Sequence, residues 1–245
     1  MSAQRKRLIR RALGLLALFA GAAIVLSMAA VLALRVVDPW TSAFMVDARL
    51  GSWFDDKPGR VRVQYRWRDY ERISAQLPLA VVASEDQLFP VHRGFDFRQI
   101  RKAMDDAERG RRSRGASTIS QQVAKNLFLW SGRSWVRKGL EAWFTVLIEA
   151  LWPKQRILEV YVNIAEFGPG IYGAEAAAQA FFRKPAARLT RDEAARLAAV
   201  LPNPLRLRAG APSNYVLRRQ REIARQMAAL GGTAYLADLG KVTRD

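Results

Sequence analysis

An uncharged apolar stretch near the N-terminus constrains this chain more than any other feature. Residues Ala12 to Leu34 contain no charged side chain, and the basic residues Arg5, Lys6, Arg7, Arg10 and Arg11 precede them. Twenty-three helical residues would be about 34 Å long, which is enough to cross the hydrocarbon core of a bilayer. Because basic flanks stay on the cytoplasmic side, the chain after Leu34 is expected outside the cytoplasm.

Two other interpretations of this stretch are weaker. A cleaved signal peptide has an apolar region of about 7–15 residues, and Ser27-Met28-Ala29 is a poor cleavage site. A buried core helix would not need the basic flank. The sequence therefore predicts a basic cytoplasmic tail over residues 1–11, a transmembrane helix over 12–34, a juxtamembrane region over 35–77 and a main domain over 78–245.

The charge of the chain points to an anionic partner. The net charge is +18 over 245 residues, and most of the 40 Lys and Arg side chains lie beyond the apolar stretch. A domain outside the cytoplasm rarely meets nucleic acid, so anionic lipid headgroups or a diphosphate substrate are better candidates. The chain has no cysteine, and His92 is its only histidine. Disulfides, thiolate or histidine metal sites and histidine triads are thereby excluded.

The hydrophobic spacing predicts a mainly α-helical domain. Helical periodicity covers residues 97–107, 119–130, 135–152, 154–166, 174–182 and 215–230, and a capping box at Thr190 opens another helix that reaches Leu201. Residues 61–67 alternate like a short strand, residues 70–77 are irregular or helical, and a glycine-rich turn covers 167–173. The aromatic residues of Pro39-Trp40 and Trp53-Phe54 suit either a membrane interface or an ordinary core.

A carboxylate pair follows the apolar run 79–83 and is the first candidate for chemistry. Burial beside such a run would raise the pKa of Glu85 and suit it to general base catalysis, although a solvated helix end is an equal alternative. His92 suits either a proton relay or, more in keeping with its type, a structural hydrogen bond.

Three further clusters contain polar residues at helical spacing. The segment from Gly115 to Asn126 combines hydroxyl groups, two glutamines and a lysine near a helix start, where phosphates bind readily. Arg137 and Glu141 are four residues apart, which suits a helix ion pair or a functional role. Glu159, Tyr161 and Asn163 precede the glycine-rich turn, whose glycines indicate close backbone approach or tight packing.

Together the four clusters resemble the peptidoglycan glycosyltransferase family, and most closely its monofunctional biosynthetic members. The matching strings are Glu85-Asp86-x-x-Phe89-x-x-His92-x-Gly94-Phe95-Asp96, Gly115-x-Ser117-Thr118-Ile119-x-Gln121-Gln122-x-x-Lys125-Asn126, Arg137-Lys138-x-x-Glu141 and Ile157-Leu158-Glu159-x-Tyr161-x-Asn163. The resemblance implies a mainly α, lysozyme-like domain with a small membrane-contacting lobe. It also implies polymerisation of lipid II into β-1,4-linked glycan strands at the bacterial inner membrane, with the enzyme domain in the periplasm.

The resemblance also assigns roles to residues of this chain. Glu85 matches the catalytic base and Glu141 a second essential carboxylate. The diphosphate-contacting cations are Lys125, Arg133, Arg137 and Lys138, and the polar residues that line the substrate are Ser117, Gln121, Gln122 and Asn126. The chain departs from the pattern at Leu140, where many relatives carry another lysine.

Partners and cofactors follow from the same resemblance. The expected partners are lipid II, the nascent glycan strand, the membrane and proteins of cell division or wall synthesis, with no nucleic acid. No cofactor is required, although a divalent cation (Mg²⁺ or Mn²⁺) would be compatible. A glycan-degrading enzyme of similar fold and a scaffold for anionic lipids are the rival functions. A penicillin-binding transpeptidase is excluded, because no Ser-x-x-Lys occurs in the chain.

Overall fold

A computed structural model describes residues 3–54, 62–110, 117–132, 134–237 and 239 of the chain. The chain divides into two compact units, residues 1–37 and residues 38–245. The first unit consists mainly of helix α1 (Ala3–Leu34). Its segment Arg10–Leu34 is long and apolar enough to cross a membrane, which agrees with the predicted span from Ala12 to Leu34.

The second unit is built mainly from helices, as the sequence predicted. Its helices within the described residues are α2 (Ala43–Phe54), α3 (Gln76–Glu85), α4 (Phe97–Glu108), α5 (Ile119–Phe128), α6 (Trp135–Leu151), α7 (Lys154–Ile164), α8 (Ala174–Phe182), α9 (Arg191–Val200) and α10 (Asn214–Ala229). The capping box predicted at Thr190 is present, since Thr190 and Glu193 exchange hydrogen bonds at the start of α9.

Helix α3 is the central helix of this unit. All seven residues from Leu77 to Ala83 are buried, because α7, α9 and α10 pack around the helix. Pro78 lies in the first turn, where its missing N–H group removes no hydrogen bond from the helix. Since α3 begins at Gln76, it runs across the boundary drawn at residues 77 and 78, and the chain from Asp38 onward belongs to the same compact unit.

A small three-stranded sheet interrupts the helices and corrects one prediction. Strand β1 (Gln64–Tyr65) pairs in parallel with β3 (Ile171–Tyr172), which pairs antiparallel with β2 (Glu166–Gly168). The helix predicted to reach Glu166 ends at Ile164, because the chain turns there into the β2–β3 hairpin. The strand predicted over 61–67 is limited to β1, and Val61 lies outside the described residues.

Helix α2 and its flanking aromatic residues lie in the segment predicted as juxtamembrane. The sequence reading did not anticipate this helix, whose short pattern is interrupted by Gly51. The indole of Trp40 is 81% exposed, which rules out the ordinary-core alternative for this residue. The side chains of Trp53 and Phe54 lie outside the described ones.

Candidate active site

A large cleft opens where the end of α3 meets α4, α5 and α10. It encloses about 1080 Å³, and four of the predicted site residues line it: Glu85, Ser117, Gln122 and Lys125. These residues come from positions far apart in the chain. Helix α10 packs against α3, and hydrogen bonds from α5 to Glu85 and Asp86 hold the start of α5 at the end of α3. A concave site with a few convergent polar groups is the usual form of a substrate site.

Glu85 is the last residue of α3 and faces this cleft half-buried. Its Oε2 atom accepts a hydrogen bond of 3.0 Å from Nε2 of Gln122. Burial raises the pKa of Glu85 above its ordinary value of 4.5, and the hydrogen bond from Gln122 and the nearby Arg219 oppose this rise. A carboxylate in such surroundings takes up a proton more readily than an exposed glutamate does.

Gln122 joins Glu85 to a buried tyrosine. The hydroxyl of Tyr161 donates a 3.1 Å hydrogen bond to Oε1 of Gln122, while Nε2 of the same amide reaches Glu85. Tyr161 lies on α7 and is 1% exposed. Burial raises the pKa of its phenol well above 10, so the phenol stays neutral and keeps its donor proton.

Asp86 links the end of α3 to the start of α5. Its carboxylate is buried and accepts a 3.0 Å hydrogen bond from the backbone N–H of Ile119. Both carboxylate oxygens also lie 2.9 Å from Nε2 of His92, whose Nδ1 accepts from the N–H of Gly94 at 3.1 Å. These contacts favour the structural alternative for His92, since its two ring nitrogens are occupied by the scaffold.

Lys125 lies one turn after Gln122 on α5 and also lines the cleft. Burial lowers the pKa of its ammonium group, with Arg137 and Lys138 acting in the same direction. The carboxylates of Glu141 and Glu85 oppose this shift. The charges of both carboxylates and of the α6 cations therefore act on Lys125.

The second carboxylate, Glu141, is held between two cations of its own helix. It is 3% exposed, and its Oε2 accepts from Nη1 of Arg137 at 3.1 Å while Oε1 pairs with Lys138. The ion pair expected between Arg137 and Glu141 is thus present. Nε of Arg137 is buried without a hydrogen-bond partner among the described residues, and Glu141 is not among the residues that line the cleft.

The remaining predicted residues are placed differently. Ser117 is exposed at the cleft. Gln121 is buried and completes a capping box, since its Oε1 accepts from the N–H of Thr118 at 3.0 Å. Asn126 is half-buried, and its Oδ1 has no partner within the described part of the chain. Arg133 lies outside the described residues.

The structure adds cleft residues that the sequence reading missed. Tyr215, Arg218, Arg219 and Glu222 of α10 form one wall, and Nη2 of Arg219 donates to the carbonyl oxygen of Ser84 at 3.3 Å. Arg98 and Lys102 of α4 also line the cleft. The amphipathic spacing of α10 predicted a packed helix, but nothing in its sequence indicates that it faces a residue 135 positions away.

The fourth cluster, around Glu159 and Asn163, supports the fold. Glu159 accepts from the N–H of Tyr70 at 2.8 Å, and Oδ1 of Asn163 accepts from the N–H of Arg68 at 2.9 Å. Gly173 has φ +85°, and a Cβ atom there would lie 2.4 Å from the carbonyl oxygen of Asn163. This confirms close backbone approach at the glycine-rich turn.

The described residues contain no group of three or more His, Asp or Glu side chains arranged to hold a metal ion. The expectation that Mg²⁺ or Mn²⁺ is compatible with the enzyme stays a prediction.

Comparison with known proteins identifies relatives over most of the chain. Residues 56–228 match the family model described as Transglycosylase. A protein named biosynthetic peptidoglycan transglycosylase from Xanthomonas oryzae pv. oryzae is 57% identical over 95% of this chain and 93% of its own length. Proteins of the same name from Chromohalobacter salexigens and Pseudomonas entomophila are 56% and 54% identical, each over 87% of this chain and over 91% and 89% of their own lengths.

Proposed function

The chain belongs to the transglycosylase family, and on this premise we propose that Glu85 is the general base of its glycosyl transfer and that Lys125 and the α6 cations stabilise the leaving group. The enzyme is a peptidoglycan glycosyltransferase that polymerises glycan strands from lipid II. The observation that supports the assignment is the position of Glu85, a half-buried carboxyl with a raised pKa in the same cleft as Lys125.

The proposed step transfers the growing strand to a new lipid II. The 4-hydroxyl oxygen of the acceptor sugar attacks the anomeric carbon of the donor, and Glu85 removes the hydroxyl proton as the new bond forms. The bond from that carbon to the undecaprenyl diphosphate breaks at the same time. Attack from the face opposite the leaving group inverts the anomeric centre, which converts an α-linked donor into a β-1,4 linkage.

The surroundings of the cleft favour transfer over hydrolysis. A diphosphate leaves without protonation if cations neutralise its developing charge, whereas a glycoside hydrolase uses a pair of carboxyl groups, one of them an acid that protonates the leaving oxygen. Here Lys125 lines the cleft together with Glu85, and Arg137 and Lys138 occupy both oxygens of the second carboxylate, Glu141. Glu141 is therefore assigned to holding the cations in place.

A direct test uses the purified full-length protein in detergent with lipid II as the only substrate. Release of undecaprenyl diphosphate is expected from the unaltered protein. In Glu85→Gln the rate should fall by about 10²–10⁴-fold, the usual contribution of a positioned base. Glu108→Gln is the control, since Glu108 is exposed at the end of α4 and does not line the cleft, and it should stay near the unaltered rate. Near-normal release of undecaprenyl diphosphate by Glu85→Gln would show that Glu85 is not the base.

The protein is membrane-anchored, and we propose a single retained span with the enzyme unit in the periplasm. The apolar segment Arg10–Leu34 and its basic flank support this topology. The outward side of α6 also presents Trp135, Val136 and Val146, which are 91%, 71% and 51% exposed and suit contact with a lipid surface. Binding of division or wall-synthesis proteins stays a prediction.

The topology is tested by fusing reporter enzymes after Asp245. A reporter that works only in the periplasm should be active, and one that works only in the cytoplasm should be silent. The opposite pattern would reverse the proposed orientation.

A further inference from the structure

Glu85 has two carboxylate oxygens, but only one of them is engaged by a described residue. Gln122 donates to Oε2, and no other hydrogen bond to the carboxylate is formed within the described residues. A general base that could rotate freely would present either oxygen to the acceptor hydroxyl. The amide of Gln122 therefore restricts which oxygen is available, provided that its own orientation is defined.

The two hydrogen-bond partners of the Gln122 amide, the carboxylate of Glu85 and the hydroxyl of Tyr161, together define its orientation. An ionised carboxylate only accepts hydrogen bonds, so the NH₂ group of Gln122 must face Glu85. This leaves Oε1 of Gln122 to accept from a donor, and the neutral hydroxyl of Tyr161 supplies one at 3.1 Å. Rotating the amide by half a turn would set its oxygen against the carboxylate and its NH₂ group against a donor hydroxyl.

Burial also fixes the position of the Tyr161 side chain. Its side chain is 1% exposed within α7, and it is not among the residues that line the cleft. A buried polar group with a single matched partner is costly to leave unpaired, so the hydroxyl keeps Gln122 in one orientation. The tyrosine end of this hydrogen bond lies in the core, where substrate in the cleft does not reach it.

We propose that Tyr161 is a positioning residue of the transfer reaction, whose hydroxyl orients the amide of Gln122 so that Glu85 is held through Oε2 and offers Oε1 to the acceptor. This inference rests on the proposed role of Glu85 as the base. It assigns to α7 a part in catalysis that does not depend on contact with the substrate.

The proposal predicts a change in the pH profile that loss of packing alone would not cause. The groups that face Glu85 are Asp86 on its own side, Gln122 and Lys125 from α5, Arg219 from α10 and, through Gln122, Tyr161 from α7. In Tyr161→Phe the amide oxygen loses its hydrogen-bond donor and the side chain is held less firmly, so its stabilisation of the charged carboxylate weakens and the pKa of Glu85 rises. The acid limb of kcat should move to higher pH by about 0.5–1 unit, part of the value of one charged hydrogen bond.

The experiment measures lipid II polymerisation by the full-length enzyme across pH for the unaltered protein, Tyr161→Phe, Gln122→Ala and the double variant. Tyr161→Phe should lose about 3–10-fold in kcat on the acid limb, recover towards high pH and keep its KM. In the Gln122→Ala background, Tyr161→Phe should add no further shift, because the amide through which it acts is gone.

The matched control is Tyr172→Phe. Tyr172 is a buried tyrosine that is hydrogen-bonded to the carboxylate of Glu166, away from the cleft. The acid limb of kcat in Tyr172→Phe should therefore stay at the pH of the unaltered enzyme. An unmoved acid limb in Tyr161→Phe, or an equal shift with and without Gln122, would overturn the inference while leaving Glu85 as the base. Near-normal activity of Glu85→Gln would instead refute the role of Glu85 itself.

Discussion

Glu85 and Glu141 are two carboxylates of one basic protein, and they sit in opposite surroundings. Glu85 ends the central helix, lines the cleft and is held by a neutral amide. Glu141 lies inside α6, is 3% exposed and is bound on both oxygens by cations. Burial raises the pKa of Glu85, which suits it to accept a proton, whereas both oxygens of Glu141 are already occupied by cations of its own helix.

This difference shows how two identical side chains come to suit different roles. Under the proposed assignment, environment and not residue type separates Glu85, the base, from Glu141, which holds the cations. Lys125 is influenced by both carboxylates, since both oppose the lowering of its pKa. Variants that alter one side of this comparison should therefore leave a recognisable signature.

After Glu85→Gln itself, the largest loss of activity is expected from Lys125→Met. The change removes a cation from the cleft that contains Glu85, and under the proposed assignment the diphosphate loses a charge-stabilising contact, so polymerisation should fall by about 10²–10³-fold. The measurement is the rate of undecaprenyl diphosphate release. Lys184→Met is the control, because it breaks the ion pair with Glu193 outside the cleft and should leave the rate unchanged.

A thermal unfolding scan decides whether Lys125 acts in catalysis. Lys125→Met should unfold near the temperature of the unaltered protein. If its activity and its unfolding temperature fall together, Lys125 is a structural residue and the two carboxylates are not linked through it.

A smaller effect is expected in the stability of Glu141→Gln. Removing the carboxylate leaves Arg137 almost buried without its partner, so the free energy of unfolding should fall by about 2–3 kcal/mol. Because Lys138 is half-exposed, it adds little to this loss. Denaturant unfolding in detergent measures the change, with Glu222→Gln as the control, since its ion pair at 3.6 Å is half-exposed and should contribute well below 1 kcal/mol.

Glu85→Gln in the same unfolding series sharpens the contrast. The folded state raises the pKa of Glu85 above 4.5, so the protonated form favours folding and that contribution is lost as pH rises through the folded-state pKa. Above pH 4.5 the unaltered protein should therefore lose stability relative to Glu85→Gln. Equal losses of stability in Glu85→Gln and Glu141→Gln at neutral pH would show that both carboxylates are structural.

Much of the fold could be predicted from local patterns. Helix α9 follows from a capping box that begins at Thr190, and the ion pair of Arg137 with Glu141 follows from a spacing of four residues on one helix. The prediction failed where residues distant along the chain compete. Helix α7 ends at Ile164 instead of reaching Glu166, because the following segment pairs with a strand whose other neighbour is β1, about a hundred residues earlier.

The candidate site divides in the same way. Gln121 and Gln122 are adjacent and equally polar, and the sequence treats them alike. In the structure Gln121 closes the start of α5 while Gln122 reaches Glu85, because successive residues of a helix point about 100° apart and only one of them faces α3. Local spacing in the sequence predicts neither the hydrogen bond of Tyr161 to Gln122 nor that of Arg219 to Ser84.

The amino-acid sequence alone determined the apolar span, the charge of the enzyme unit, most helices and the motifs that mark the family. Each of these features depends on neighbouring residues or on composition. The pairing of Glu85 with Gln122, of Gln122 with Tyr161 and of Ser84 with Arg219 depends on how α3, α5, α7 and α10 pack. Those contacts join residues 37 to 135 positions apart, and a burial-driven arrangement of whole helices brings them together.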